Sequence, residues 1–424
     1  MERLSSSNNR KSPSLKYVLT ILFLIAYYLG EAKTIIVGKD QVVTSLRKAI
    51  ELAVQGDTII LKKGTYKEGN IILNKSISLI GLEDPVLDGE NKYEILTVSG
   101  KNILIKGIHF MNSGYSSMYD FASIKVVDAS NVTVENNTID VAYFAIHFNN
   151  SSHCTISNNL IRGKSKTEQT SGNGIHLWKC DRMLIKDNRV SGQRDGIYFE
   201  FVTNSNITGN SSFNNIRYGL HFMFSNNDTY TGNLFKDNGA GVAVMYSHHV
   251  SMLYNTFEHN WGPNAYGIFL KEISDATIHR NKFIQNTVGI VMEGTNRINA
   301  QMNLFTANGW ALRIQASCDN NSIHHNNFLG NTFDVATNGT MMLNEFYKNY
   351  WDKYEGYDLN KDQIGDVPFH PVSLYSMVIE QNSNALLLLR SFIITLFDRA
   401  EKAIPSLTPE HLKDDKPLMK PLPL

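Results

Sequence analysis

Imidazole, phenol and thioether side chains recur in this chain inside one kind of short apolar segment. His176 lies in Gly174-Ile175-His176-Leu177, Tyr198 in Gly196-Ile197-Tyr198-Phe199-Glu200, His221 and Met223 in Gly219-Leu220-His221-Phe222-Met223, and Met245 in Gly241-Val242-Ala243-Val244-Met245. His147 precedes them, and His248, His249 and Met252 follow. Thioether beside imidazole is the donor set that suits cuprous copper, a soft cation. The same side chains would equally serve a face that packs under a loop or docks a partner, with Trp178 and Tyr198 as its aromatic anchors. Whether they form one site depends on the elements that carry them.

Those elements are set by a repeat. The Gly-apolar-x-apolar unit recurs at Gly174, Gly196, Gly219, Gly241, Gly267 and Gly289, with steps of 22, 23, 22, 26 and 22 residues. A second half of the unit, Asn-x-apolar, runs through Asn137, Asn159, Asn188, Asn233, Asn255, Asn281, Asn303 and Asn344. A fixed period of this length specifies a solenoid. Short strands divided by Asn and Gly turns, with no helical pattern between them, specify an all-β, right-handed parallel β-helix. Asn repeated at one bend can stack into an amide ladder. The first and third residues after each Gly are apolar and point inward, so the second and fourth point outward. One outward column reads His147, His176, Tyr198, His221, Ala243, Phe269, Val291, Arg313. The other reads Asn149, Trp178, Glu200, Met223, Met245, Lys271, Glu293. At about 4.8 Å between coils, His221, Met223 and Met245 converge. His176 and His248 extend the candidate metal set.

Insertions mark one side of the solenoid. Asn159 to Gly174 spans 15 residues and Asn255 to Gly267 spans 12, both lengthened at the same joint. Thr44 to Val54 has a helical apolar stripe and is expected to cap the N-terminal end. Residues 33–100 then form the cap and first coils, 101–350 the β-helix, and 351–383 a C-terminal cap. Ala385 to Ile404 reads as an amphipathic helix whose Leu389, Arg390 and Phe397 are candidates for docking, followed by an extended Pro-rich tail.

Lys+Arg and Asp+Glu are balanced at 40 each, with no basic stripe, which argues against a nucleic-acid partner. Basic residues, the apolar run Tyr17 to Leu29 and the small pair Gly30 and Ala32 read as a secretory signal over residues 1–32, placing the body outside the cytoplasm. Cys154, Cys180 and Cys318 are an odd set. Cys180 and Cys318 share a column but sit on the order of 29 Å apart at the strand spacing, beyond disulfide reach, so free buried thiols are expected. Asp358, Asn360, Asp362 and Asp366 resemble half of a calcium loop, without its central Gly (Gln363) or its terminal Glu (Phe369); an Asx-rich turn is the alternative. Tyr198 between His176 and His221 would suit a polysaccharide-active enzyme, but the face lacks the aspartate pair of glycoside hydrolysis and a cation cluster for a uronate.

The blocks DGIYFEFVTNS from Asp195, RYGLHFMFSNN from Arg217, GAGVAVMYS from Gly239 and NYWDKYEGYDL from Asn349 resemble the NosD family of periplasmic maturation proteins for nitrous oxide reductase. The resemblance implies a non-enzymatic accessory associated with the inner membrane. Its partners would be an ABC permease (NosY-like) with its ATPase (NosF-like), a copper chaperone (NosL-like) and the reductase, with copper or sulfur as cargo. It labels no copper ligand; His221, Met223 and Met245 come from the register.

Overall fold

The computed structural model describes residues 32–116, 118–339, 343–389, 391–403, 408–409 and 412–424. All of the expected secretory signal but its last residue, together with Arg390 and Ile404, lies outside them. From Thr34 the chain winds into a parallel β-solenoid of about 14 turns. Its strands form two parallel sheets, one of 24 strands and one of 13. The coils thus begin well ahead of the repeat visible in sequence, because the strands Thr34–Val37 and Thr58–Leu61 already pair in register.

Alternation dictates the core. In Ile175–Trp178 and Ile197–Glu200 the first and third residues are fully buried, while the second and fourth are half-buried. One interior column is a continuous aromatic stack: Phe235, Phe257, Phe283, Phe305, Phe328 and Trp351, with ring centroids 5.4, 4.9, 4.7, 4.8 and 4.1 Å apart. The glycines that open the strands are there for backbone approach. A Cβ on Gly267 would stand 2.6 Å from the carbonyl oxygen of Gly289 on the next coil.

The asparagines form the expected ladder, and its bonding is complete. Asn255 Oδ1 accepts from the backbone N–H (3.0 Å) and the side-chain amide (2.9 Å) of Asn233. Its own amide donates to Tyr230 O (2.9 Å) and Asn281 Oδ1 (3.1 Å). A second ladder through Asn215, Asn238, Asn260, Asn286, Asn308 and Asn331 serves another bend. These bonds satisfy buried backbone groups where the chain leaves the sheet and cannot pair in it.

Asp228 breaks a third column of bend residues. Its Oδ1 accepts from Ser205 N (2.8 Å), but Oδ2 has no protein partner. Burial, with help from the nearby Asp181, pushes its carboxyl up to about 8. The folded protein therefore keeps a proton there that the unfolded chain loses near pH 4, and stability falls as pH rises from about 4 to 8. Asp228→Asn is expected to stabilise the fold by about 1–3 kcal/mol near pH 8 and to converge with the parent near pH 4. Thermal unfolding across that range measures it.

The N-terminal end is covered by helix α1, Leu46–Leu52, whose N-cap Ser45 accepts from Lys48 N. The C-terminal end differs from expectation. A helix absent from the sequence reading, α2 (Leu374–Gln381), packs on the strand Phe333–Thr337. The helix expected over Ala385 to Ile404 is broken into a 3-10 turn, Ser383–Leu388, and helix α3, Phe392–Ala403. The Pro-rich tail, over its described residues 412–424, lies along the last coils. Leu418 bridges to Tyr350 and Ile364, and Leu422 exchanges hydrogen bonds with Asn327. Asp414 closes the main ladder: its Oδ2 accepts from Asn349 N (2.9 Å), the Asn349 amide (3.1 Å) and Trp351 Nε1 (3.1 Å). A carboxylate is suited to the last rung because only donors remain to be satisfied there.

The three cysteines are free and buried. Burial pushes the Cys180 thiol up to about 12 and also raises Cys154.

Candidate functional site

Strand pairing sets the register of the outward columns. His147 pairs with His176, His176 with Tyr198, Tyr198 with His221, His221 with Ala243, and Ala243 with Phe269. Trp178 pairs with Glu200, Glu200 with Met223, Met223 with Met245, and Met245 with Lys271. His221, Met223 and Met245 therefore sit on one face of two adjacent strands.

That face is not open. His147 and His221 are each only 3% exposed. Rings of the column itself and of residues just ahead of each strand pack into a strip. Phe144 lies 5.2 Å from His176, His147 lies 4.6 Å from His176, His176 lies 4.7 Å from Tyr198, and His221 lies 4.9 Å from Tyr198 and 4.8 Å from Tyr218. Burial holds the His147 imidazole down to about 4 and His176 well below the ordinary range, so both are neutral at pH 7.

Along this strip the usual satisfaction of buried polar groups fails. Both ring nitrogens of His147 and both of His221 lack a protein hydrogen-bond partner, as do Asp195 Oδ2 and Arg194 Nε. An unpaired buried donor or acceptor costs about 1–3 kcal/mol, so such a concentration demands an explanation. Asp195, fully buried, places Oδ2 3.9 Å from His221 Nδ1, and its Oδ1 lies 3.7 Å from Arg217 Nε. Oδ2 also lies 3.7 Å from Arg194 Nε, so the carboxylate stands between two arginines and the His221 ring; an Nδ1–H turned toward it would leave Nε2 its lone pair, the usual orientation of a metal-binding imidazole. Asp195 was missed in the sequence because Asp-Gly reads as a turn.

Tyr198 stands between the two kinds of donor. Its ring lies against His221, while its hydroxyl lies within donating distance of two acceptors, Glu200 Oε2 (3.2 Å) and Met223 Sδ (3.6 Å), and its one proton can serve either. Burial first, and then Glu200, raises its phenol. Met223 and Met245 are half-buried. Among the described residues no three His, Cys, Asp or Glu side chains converge as a metal-holding set. This argues against a hard divalent site on this face; the donors that the register places together there are one imidazole and two thioethers, which are soft. The cysteines, buried as thiols, contribute nothing to it.

Other sequence candidates separate from the strip. Met252 points into the core and is fully buried, since it occupies the interior column shared with Tyr230 and Ile278. His248 is exposed beyond the turn, in the column of Asn226 and Ser274, with its ring 5.2 Å from His249. It shares no column with His221. Trp178 is half-buried under Lys179, whose Nζ lies 4.2 Å from the ring centroid. Phe397 faces inward toward Tyr375 (6.5 Å), and Leu389 is 41% exposed. The outward apolar surface of the helical module is instead Leu387, Phe392 and Leu396, led by Leu387 at 88% exposure. No helix among the described residues is long and apolar enough to cross a membrane. In the acidic loop, Asp358 accepts from Asp362 N and Gln363 N, Asp362 from Ile364 N, and Asp366 from Leu359 N. Asn360 Oδ1 accepts from Asp362 N. This is the pattern of nested Asx turns.

Fold and register together define a right-handed parallel β-helix protein, and residues 43–172 match the family described as right-handed β-helix region. Residues 158–363 match the family described as periplasmic copper-binding protein (NosD). A Pseudomonas aeruginosa protein named probable ABC transporter binding protein NosD is 29% identical over 409 residues, covering 85% of this chain and 87% of the relative. The chain is a right-handed β-helix protein that is similar to NosD proteins. Among solved structures it is similar to a family 28 exopolygalacturonase of Yersinia enterocolitica (TM-score 0.60, 10% identity, 75% of this chain and 79% of the other). It is also similar to PfbA, a surface adhesin of Streptococcus pneumoniae (TM-score 0.53, 13% identity, 72% and 85%). At such identities the likeness is one of fold alone.

Proposed function

We propose that this protein is a periplasmic accessory that passes cuprous copper during assembly of the copper site of nitrous oxide reductase, working with an ABC transporter and a copper chaperone. The observation that carries the reading is the unpartnered, buried His221 in register with the neighbouring thioethers Met223 and Met245. The NosD match and the name of the Pseudomonas relative support the compartment, the metal and the transporter. Copper is cargo here: His221 Nε2 and the two sulfurs would hold it, Asp195 would orient the imidazole, and the Tyr198 hydroxyl would leave Met223 for Glu200. A two- or three-coordinate site of imidazole and thioether donors, with no thiolate or carboxylate on the metal, suits hand-over rather than storage.

The outward face of the helical module (Leu387, Phe392, Leu396) is proposed as the seat for the permease. What supports this is that three large apolar side chains of one short module stand exposed together, Leu387 and Phe392 most of all. A polysaccharide-active enzyme is disfavoured, since the Tyr198 hydroxyl donates to Glu200, the His221 ring beside it is buried, and burial keeps the His176 imidazole neutral.

The test is maturation in cells. Nitrous oxide reductase made beside the His221/Met223/Met245 triple alanine is expected to lack most of its copper–sulfide centre, measured as copper per reductase and visible absorption. Full loading beside the variant would reject the role.

A further inference from the structure

On the insertion side of the solenoid, beyond the His147 end of the strip and several coils from Met223 and Met245, lies a cleft of about 250 Å³ between the loop 163–172 and the bend that follows the strand Thr138–Asp140. Apart from Val141 and Ala142 its lining is polar, cationic or aromatic. Lys164 and Lys166 come from the loop, Ser113 and Ser171 from its flanks, and Tyr115 and Tyr143 from the neighbouring bends. No carboxylate lines it, and Glu168, the loop's own acid, is turned to Arg217 (3.9 Å). Tyr115 and Tyr143 meet edge to face at 4.9 Å, and Tyr115 is 53% exposed, so it offers ring surface to a ligand. The Ser113 hydroxyl oxygen already accepts from Tyr143 N (2.9 Å), which leaves its proton to donate. Val141, at the floor, holds φ +53, a left-handed conformation that a β-branched residue adopts only when its surroundings impose it.

Two ammonium groups, hydroxyl donors and an exposed aromatic ring are the elements that recognise a sugar bearing a negative charge: the cations take the anion, the hydroxyls its ring oxygens, and the aromatic ring its C–H face. We propose that this cleft binds an anionic saccharide, a sugar ring carrying a carboxylate or a phosphate, with the anion held between Lys164 and Lys166 and the ring against Tyr115. The site is independent of copper transfer and survives or fails separately from it.

Isothermal titration of the full chain at low salt would use trigalacturonate, glucose 1-phosphate, inorganic phosphate and neutral maltotriose as probes. Saturable binding is expected for at least one anionic sugar, with maltotriose and inorganic phosphate each at least tenfold weaker. The two anionic sugars distinguish carboxylate from phosphate. Lys164→Ala/Lys166→Ala, two exposed positions, is expected to weaken that binding at least tenfold with an unchanged circular dichroism spectrum, and Tyr115→Ala to weaken it too. No saturable binding, equal binding of maltotriose, equal binding of inorganic phosphate, or a double variant that binds like the parent would each overturn the proposal.

Discussion

Asn255→Ala is expected to destabilise the protein severely, although it removes only a small polar side chain. Asn255 is fully buried, and its amide takes part in four side-chain hydrogen bonds spanning three coils. Alanine would leave the buried Asn233 N–H, one N–H of the Asn233 amide and the Tyr230 carbonyl without the partner that Asn255 supplies. At about 1–3 kcal/mol for each stranded group, partly relieved by relaxation, the loss is about 3–5 kcal/mol, large for any single substitution. Because each coil touches only its neighbours, the damage is expected to split the array and broaden thermal unfolding as well as lower its midpoint. An exposed control without a left-handed backbone, such as Asn264→Ala, is expected to leave the midpoint nearly unchanged. Equal midpoints for Asn255→Ala and the parent would show that the ladder is a passenger of the fold.

The second large effect concerns copper. Converting His221, Met223 and Met245 together to alanine removes every donor proposed for the site while leaving the inward residues Leu220, Phe222, Val242 and Val244 in place. The fold should therefore persist, and the loss of Cu(I) affinity is expected to exceed 100-fold. Asp195→Asn tests the supporting role. It keeps size and hydrogen bonding capacity but removes the acceptor charge that orients Nδ1–H, and outer partners of this kind are typically worth 10–100-fold in metal affinity.

Much of this arrangement was legible in the sequence, and for a physical reason. Gly and Asn mark bends that recur once per coil, so the register of His221, Met223 and Met245 follows from counting, and strand pairing bears it out. What counting could not supply was the covering of the outward face. Phe144 and Tyr218 fold back over the column and turn a supposed surface into a buried strip. Met252 was misplaced because it lies past a turn, where the inward and outward phase restarts. The C-terminal end was least legible, since the repeat stops there. Helix α2 carried a signal, the N-cap Ser373 after Pro371 with Tyr375 and Ile379 on one buried stripe. Asp414 carried none: it closes the ladder across 65 residues from Asn349, and no local pattern encodes such a contact.

The most direct measurement is a cuprous titration of the purified protein against a chromophoric Cu(I) chelator under strict reduction. The parent is expected to withdraw one equivalent of Cu(I) from the chelator, and the triple alanine variant, with an unchanged circular dichroism spectrum, to withdraw none at the same concentrations. Equal withdrawal by both proteins, or none by either, would contradict the assignment of His221, Met223 and Met245 as the copper-passing site.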